Sequence, residues 1–260
     1  MDILDILSDT AHERVESAKK VKTFDEVKSS AEAMGKGDFS FEKKLARKGL
    51  SFICECKKAS PSKGLIAPDF PYLDIAREYE AAGADCISVL TEPSKFLGSD
   101  EYLKEIAAAV NIPCLRKDFI VDEYMIYEAK LLGAAAVLLI VSILDLETLR
   151  RYISICDDLG LSALVEVHDE NEVKIAVGAG ARIVGVNNRN LRDFTVAQEN
   201  SARLRPLVPS SVLFVSESGV KSREDVVNIE KIGADAVLIG ETLMKAADKR
   251  AALAVLRGSV

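Results

Sequence analysis

Ile232-Gly-Ala-Asp-Ala-Val-Leu-Ile-Gly-Glu-Thr-Leu-Met244 holds one complete structural unit of this chain. Its first glycine suits the left-handed position just past the end of a helix, where the chain turns back towards a sheet. Four apolar residues, Ala236–Ile239, then read as a short buried strand, and Gly240-Glu241 opens another helix. Related phrases stand upstream at Ala81-Ala-Gly-Ala-Asp85, Leu132-Gly-Ala134 and Val177-Gly-Ala-Gly-Ala181, each ahead of an apolar run. Eight such runs can be counted: Ser51–Lys57, Asp85–Leu90, Pro113–Lys117, Ala135–Val141, Ala163–Val167, Ile183–Asn187, Val212–Glu217 and Ala236–Ile239. The segments between them carry helical spacing. Asp100–Val110 follows a candidate N-cap at Ser99, and Ser222–Ile232 opens with a Ser-x-x-Asp capping pattern.

Strand and helix alternating at roughly 20–35 residues per unit predict parallel β/α architecture. A doubly wound open sheet is the alternative, but eight near-equal units with almost continuous apolar strands favour closure. The expected fold is an α/β protein, a (β/α)8 TIM barrel, with residues 1–45 as an N-terminal helical extension marked by Ile3, Leu4, Ile6, Leu7, Phe24 and Val27. No Gly-, Ser- or Pro-rich linker interrupts the chain, so residues 1–260 are expected to form a single domain with no second fused activity. The length suits a barrel and needs no disulfide or metal staple.

Composition narrows the function. With 34 basic against 41 acidic residues the net charge is -7, which disfavours sequence-independent nucleic-acid binding. A local positive pocket for an anionic substrate remains compatible with it. The five cysteines (Cys54, Cys56, Cys86, Cys114, Cys156) lack paired C-x-x-C spacing, and four lie in strand-like runs. They read as buried hydrophobes in a reducing compartment. Cys54-Glu55-Cys56 could chelate a metal, but only His12 and His168 are there to help, and no metal is expected. The start lacks the basic and long apolar regions of a signal peptide, and Ala134–Leu144 is too short for a membrane span. A cytoplasmic protein without membrane or nucleic-acid partners is expected.

Active-site groups of such barrels project from the C-terminal ends of the strands. Here five otherwise apolar runs end in ionisable or amide residues: Glu55-Cys-Lys57, Arg116-Lys117, Glu166-Val-His168, Asn187-Asn-Arg189 and Glu217-Ser218. Strand periodicity puts Glu55 and Lys57 on one face, with Cys54 and Cys56 on the other. Any one of these groups could be structural filling of a polar mouth. Five together would cost stability without compensation unless they met a ligand. Glycines after the last two runs, in Ser218-Gly219-Val220 and Ile239-Gly240-Glu241, occupy the usual phosphate-binding positions of a barrel.

The strings Glu55-Cys-Lys-Lys-Ala-Ser-Pro-Ser-Lys-Gly64, Leu115-Arg-Lys-Asp-Phe119, Leu164-Val-Glu-Val-His168, Gly185-Val-Asn-Asn-Arg-Asn-Leu191, Ser216-Glu-Ser-Gly219 and Ile239-Gly-Glu-Thr-Leu-Met244 resemble the indole-3-glycerol-phosphate synthase family. The likeness runs in order over residues 3–247, and the first and fourth strings are its most specific parts. It implies a lyase of tryptophan biosynthesis that acts on 1-(2-carboxyphenylamino)-1-deoxyribulose 5-phosphate without cofactor or metal. Lys117 then corresponds to the acid that protonates the substrate ketone, and Glu166 to the acid–base carboxylate of later steps. Lys57 matches the ammonium that holds the substrate carboxylate, with Glu55 as its partner. The division of acid duties between Lys57 and Lys117 stays open. Asn187 and Glu217 join the catalytic set, and Arg189 and Ser218 the substrate contacts. Ser60, Gly219, Gly240 and Glu241 match the phosphate cradle, while Phe96, Phe119, Leu138 and Leu191 would line the slot for the aromatic ring.

A lysine in this acid role would benefit from a pKa drawn towards neutrality by burial or a neighbouring cation. Two positions depart from relatives: Ala197-Gln198, where Asp with an apolar residue is common, and Glu241, which is Ser in some. An acid beside phosphate would repel it, so Glu241 is expected to offer its backbone N–H and point away. The rival readings are another phosphate-binding barrel, such as a phosphoribosyl-amine isomerase, and a non-catalytic metabolite-binding barrel. The first needs no second lysine, and the second would lack one of Lys57, Lys117 or Glu166, yet all are present. The expected partner is a small phosphorylated substrate. A monomer is the simplest expectation, and association with other tryptophan-pathway enzymes is not decided by the sequence.

Overall fold

A computed structural model of the chain describes residues 3–190 and 194–259. The N-terminal extension is helical, with α1 at Ile3–Val21, α2 at Phe24–Ala33 and α3 at Ser40–Leu45. The eight apolar runs are strands: β1 Ser51–Cys56, β2 Cys86–Leu90, β3 Cys114–Lys117, β4 Ala136–Ile140, β5 Ser162–Val167, β6 Ile183–Asn187, β7 Leu213–Glu217 and β8 Ala236–Ile239. Each pairs in parallel with the next, and β1 pairs with both β2 (Ile53 opposite Cys86) and β8 (Ser51 opposite Ala236). The sheet therefore closes, and the open-sheet alternative falls. Several strand ends fall one residue from expectation for local reasons. Lys57 has left the ladder, Pro113 has no N–H to give, and Val141 begins a 3-10 turn over Val141–Ile143. A two-residue antiparallel ladder between Ala59–Ser60 and Gly64–Leu65 was not anticipated.

Helices α4 Tyr72–Ala81, α5 Asp100–Ala109, α6 Glu123–Leu131, α7 Leu146–Leu159, α8 Glu170–Gly178, α9 Glu199–Leu204 and α10 Arg223–Lys231 connect the strands, and α11 Glu241–Lys245 and α12 Lys249–Arg257 follow β8. Ser99 caps α5 at Glu101 N–H, and Ser222 with Asp225 forms the capping box of α10; such caps contribute about 1 kcal/mol each. At the other end of α10, Gly233 takes φ +75° while its N–H reaches Glu230 O and that of Ala234 reaches Ile229 O. This is the glycine ending read from the opening phrase. The Asp of that phrase has a further task. Asp235 accepts the N–H of Phe214 at 2.7 Å, and Asp85 that of Phe52 at 2.9 Å, pinning neighbouring strands at their starts.

The extension wraps the barrel from end to end. At the N-terminal end of the strands, α3 buries Phe41 and Leu45 and is held by three polar contacts. Glu42 N–H donates to Ser162 Oγ (3.2 Å), Arg182 pairs with Glu42 (3.0 Å), and Ser51 Oγ donates to Lys44 O (3.2 Å). At the opposite end, α1 turns the stripe Leu4, Leu7, Ala11 and Val15 inward, the spacing of one helix face. Arg14 forks onto the buried Asp118 carboxylate (2.7 and 3.1 Å), and Lys19 meets Asp122 at 2.8 Å. One hydrophobic cluster runs from Leu4 to Leu256.

Candidate active site

The polar ends of the strands converge on a cavity of about 460 Å³ at the C-terminal mouth of the barrel. Glu55, Lys57, Lys117, Glu166, Asn187 and Glu217 all line it, as do Ser60, Phe96, Phe119, Leu138, Arg189, Ser218, Gly219, Gly240 and Glu241. Leu191 lies outside the described residues. Alternation along β1 separates the roles of its residues. Glu55 faces the mouth, whereas Cys54 and Cys56 are fully buried beneath the outer helices, where burial raises both thiol pKa values. The thiols therefore cannot join Glu55 around one ion.

Two ammonium groups are each held by carboxylates. Lys57 bonds Glu55. Lys117 sits between Glu166 (3.1 Å) and Glu217 (3.5 Å), with Glu55 also felt through space. Burial works against charge on Lys117, but these carboxylates outweigh it and hold its pKa above the ordinary lysine value. Any drift towards neutrality is thus reversed: the three acids around Lys117 outweigh its burial. Burial raises Glu166 as well, yet Lys117, His168 and the bonds from Lys117 and Asn187 bring it below the usual carboxylate range. Glu217 goes the other way. Burial, with Glu166 and Glu55 nearby, outweighs Lys117 and pushes it up to about 7. Its Oε1 atom has no hydrogen-bond partner. Space for that carboxylate comes from Gly185 on β6, where a Cβ would overlap Glu217 Oε1 and come 3.1 Å from Leu164 Cδ1.

Asn187 ties the centre to its rim. Its amide nitrogen donates to Glu166 Oε1 (3.3 Å), while its oxygen accepts from Ser218 Oγ (2.9 Å) and Arg189 N–H (3.0 Å). Ser218 and Gly219 both have left-handed backbones, φ 69° and 93°. A side-chain-bearing residue adopts this conformation only at some cost, and such strain clusters at functional sites. The Gly219 carbonyl accepts from Gln198 Nε2, so the departure at Gln198 braces this turn. Thr242 Oγ1 donates to Val220 O, joining the turn after β7 to the start of α11. Glu241 does not swing clear of the mouth. Its carboxylate pairs with Lys245 at 2.7 Å and stands 3.7 Å from Lys63 and 3.9 Å from Arg189, which offset its charge.

Several lining residues were not singled out from sequence. Ile3, Leu4 and Leu7 of α1 close one side, and Lys63, Lys245 and Thr242 stand near the glycine turns. Lys63 belongs to a quoted string, and its charge was the available signal. Nothing in the amphipathic pattern of α1 says which end of the barrel it covers.

Comparison with known proteins finds likeness along nearly the whole chain. The family model described as indole-3-glycerol phosphate synthase matches residues 4–256. A curated protein of that name from Ruminiclostridium cellulolyticum is 60% identical over 258 residues, covering 99% of each chain. Another, from Leuconostoc mesenteroides, is 52% identical and covers 98% of each. Among solved structures, a 3-hexulose-6-phosphate synthase superposes with a TM-score of 0.65 at 17% identity, covering 81% of this chain and 100% of the other. Thiamine phosphate pyrophosphorylase from Pyrococcus furiosus superposes with 0.62 at 18%, covering 84% and 96%. At such identities these two speak for the fold alone.

Proposed function

Because the chain belongs to the indole-3-glycerol phosphate synthase family, its reaction is the conversion of 1-(2-carboxyphenylamino)-1-deoxyribulose 5-phosphate to indole-3-glycerol phosphate, carbon dioxide and water, and we propose the following roles for its residues. Lys117 is the acid of ring closure. When the electron-rich aromatic carbon attacks the ketone, alkoxide charge builds on oxygen, and a buried ammonium can quench it by giving a proton. A high pKa does not forbid this, since the developing alkoxide is more basic still. Glu217, whose pKa burial and neighbouring acids push up to about 7 and which lies 3.5 Å from Lys117, is suited to return a proton to the lysine amine. Loss of carbon dioxide restores aromaticity. Glu166, kept ionised, then takes the proton that dehydration releases, while Lys57, which holds the substrate carboxylate until it leaves as carbon dioxide, serves the departing hydroxyl.

The phosphate is assigned to Ser60, the Ser218-Gly219 turn, Gly240 and Glu241 N–H, with Lys63, Lys245 and Arg189 supplying positive charge around it. Phe96, Phe119 and Leu138, together with Leu4 and Leu7 of α1, form apolar walls for the aryl ring. Holding the reacting carbons adjacent can contribute several kcal/mol. No helix among the described residues is long and apolar enough to cross a membrane. The five buried free cysteines support a reducing, cytoplasmic setting. The continuous core from Leu4 to Leu256 supports one folding unit.

The single observation that carries the assignment is the bracketing of Lys117 by Glu166 and Glu217 inside the cavity. Lys117→Ala is expected to lower turnover by orders of magnitude while still binding a product analogue. Parent-like turnover would remove Lys117 from the role.

A further inference from the structure

His168 closes the string Leu164-Val-Glu-Val-His168 and has no part in the roles above. It follows β5 directly, and period-two alternation sets it on the same side as Glu166, with Val167 buried on the other. Its side chain does not line the cavity. Instead it stands behind the carboxylate, with Nε2 3.4 Å from Glu166 Oε1 and Nδ1 3.1 Å from Glu172 Oε2. Glu172, in the first turn of α8, is itself fixed. It accepts the His168 backbone N–H at 2.7 Å and the Ser142 hydroxyl at 2.6 Å, and its own N–H is capped by Asp169 at 2.9 Å.

A carboxylate oxygen thus stands near each ring nitrogen, and the buried Nε2, 3.4 Å from Glu166 Oε1, makes no hydrogen bond in this geometry. A neutral imidazole would aim a lone pair at one of these oxygens, whereas the doubly protonated ring presents positive charge to both. The charged groups around it agree. Glu166 on β5, Glu172 on α8 and Glu217 on β7 all favour the cation, and Lys117 on β3 meets Glu166 through the far oxygen, Oε2. Ser142 after β4 donates to Glu172 and stands 3.4 Å from His168 Nδ1, and Asn200 of α9 donates to the His168 carbonyl.

We propose that His168 and Glu172 are a positioning pair: as an imidazolium anchored by Glu172, His168 holds Glu166 ionised and in one rotamer, so that Glu166 acts as a base and not as an acid. The arrangement gives Glu166 a donor on each oxygen, Lys117 on Oε2 and Asn187 on Oε1, and sets the His168 ring 3.4 Å from Oε1 as a nearby positive charge. Without the imidazolium the carboxyl would take up a proton at higher pH and be freer to turn. This rests on the reading of Glu166 as the base.

The test uses the full chain, with His168→Gln, Glu172→Gln and Glu166→Gln assayed across the pH range. His168→Gln is expected to lower kcat about tenfold near neutrality and to move the acid limb of kcat/KM up by about one pH unit, with KM little changed. Glu172→Gln should move the same limb by less, and Glu172→Asp should restore most of it. A parent-like acid limb in both Gln variants, even with lower activity throughout, overturns the pairing and leaves an ordinary packing role. Parent-like turnover in Glu166→Gln would instead overturn the base assignment itself. A measurement on the parent guards against misfolded variants. The chain has only two histidines, so nitrogen-15 NMR, with His12 replaced for assignment, reads the His168 ring directly. A doubly protonated ring at neutral pH is expected, and a neutral tautomer there overturns the proposal.

Discussion

Replacing Glu217 by Gln should make the protein more stable and less active. Glu217 is buried among carboxylates, and its pKa stands at about 7 against an ordinary 4.5. Between those values the native protein keeps a proton that the unfolded chain has already released. Ionising Glu217 therefore costs the folded state stability, and the cost grows as pH rises through that window. At about 1.4 kcal/mol per pKa unit, the gap amounts to about 3 kcal/mol above pH 8 and about 1 kcal/mol at pH 5. Gln has nearly the same shape, can accept the bond from Lys117 and never ionises, so it removes this cost while Glu166 continues to pair with the ammonium. Urea titrations followed by circular dichroism at pH 5 and pH 8.5 would read the effect. A variant stabilised by about 3 kcal/mol at the higher pH and about 1 kcal/mol at the lower, with reduced turnover, is the expected outcome. A variant less stable than the parent at pH 8.5, or a gain that ignores pH, would refute the reasoning.

Two further substitutions probe the frame around the site. Gly185→Ala would push a methyl group against Glu217 and Leu164 inside the closed barrel; thermal unfolding should show a loss of about 1–3 kcal/mol, and steady-state kinetics a lower kcat. Arg14→Ala would leave the buried Asp118 with Thr91, the Phe119 N–H and a more distant Arg116. A loss of about 2–3 kcal/mol is expected, less than for a fully stripped buried charge, together with a raised KM as Leu4 and Leu7 loosen at the mouth.

Most of the architecture could be read from periodicity because parallel strands buried on both faces leave uninterrupted apolar runs. Ala136–Ile140 and Ile183–Asn187 are examples, and their glycine-terminated helices set the spacing. The polar strand ends were legible for a related reason: an ion in such a run is costly, so Lys117 and Glu166 stand out from their neighbours. What the pattern does not carry is the sum of charges in space. The Lys117 side chain lies among acids from β1, β5 and β7, segments far apart in sequence, and only their convergence reveals that its pKa rises. Glu217 and Glu166 read alike as letters and differ because Glu166 has the Asn187 amide as a donor and the His168 ring close by. The placement of α1 over the mouth was hidden as well, since a helix stripe reports that it is covered and not by what. The ladder of Ala59–Ser60 with Gly64–Leu65 is too short to leave a period.

Product formation is the most direct measurement. Synthetic carboxyphenylamino sugar phosphate given to the purified chain, dialysed beforehand against a chelator, should yield indole fluorescence that follows the release of carbon dioxide. The signal should nearly vanish in the separate variants Lys57→Ala, Lys117→Ala and Glu166→Gln. Full fluorescence in all three, from protein that still folds, would contradict the claim that acids and ammoniums meeting at one end of the barrel carry out the chemistry.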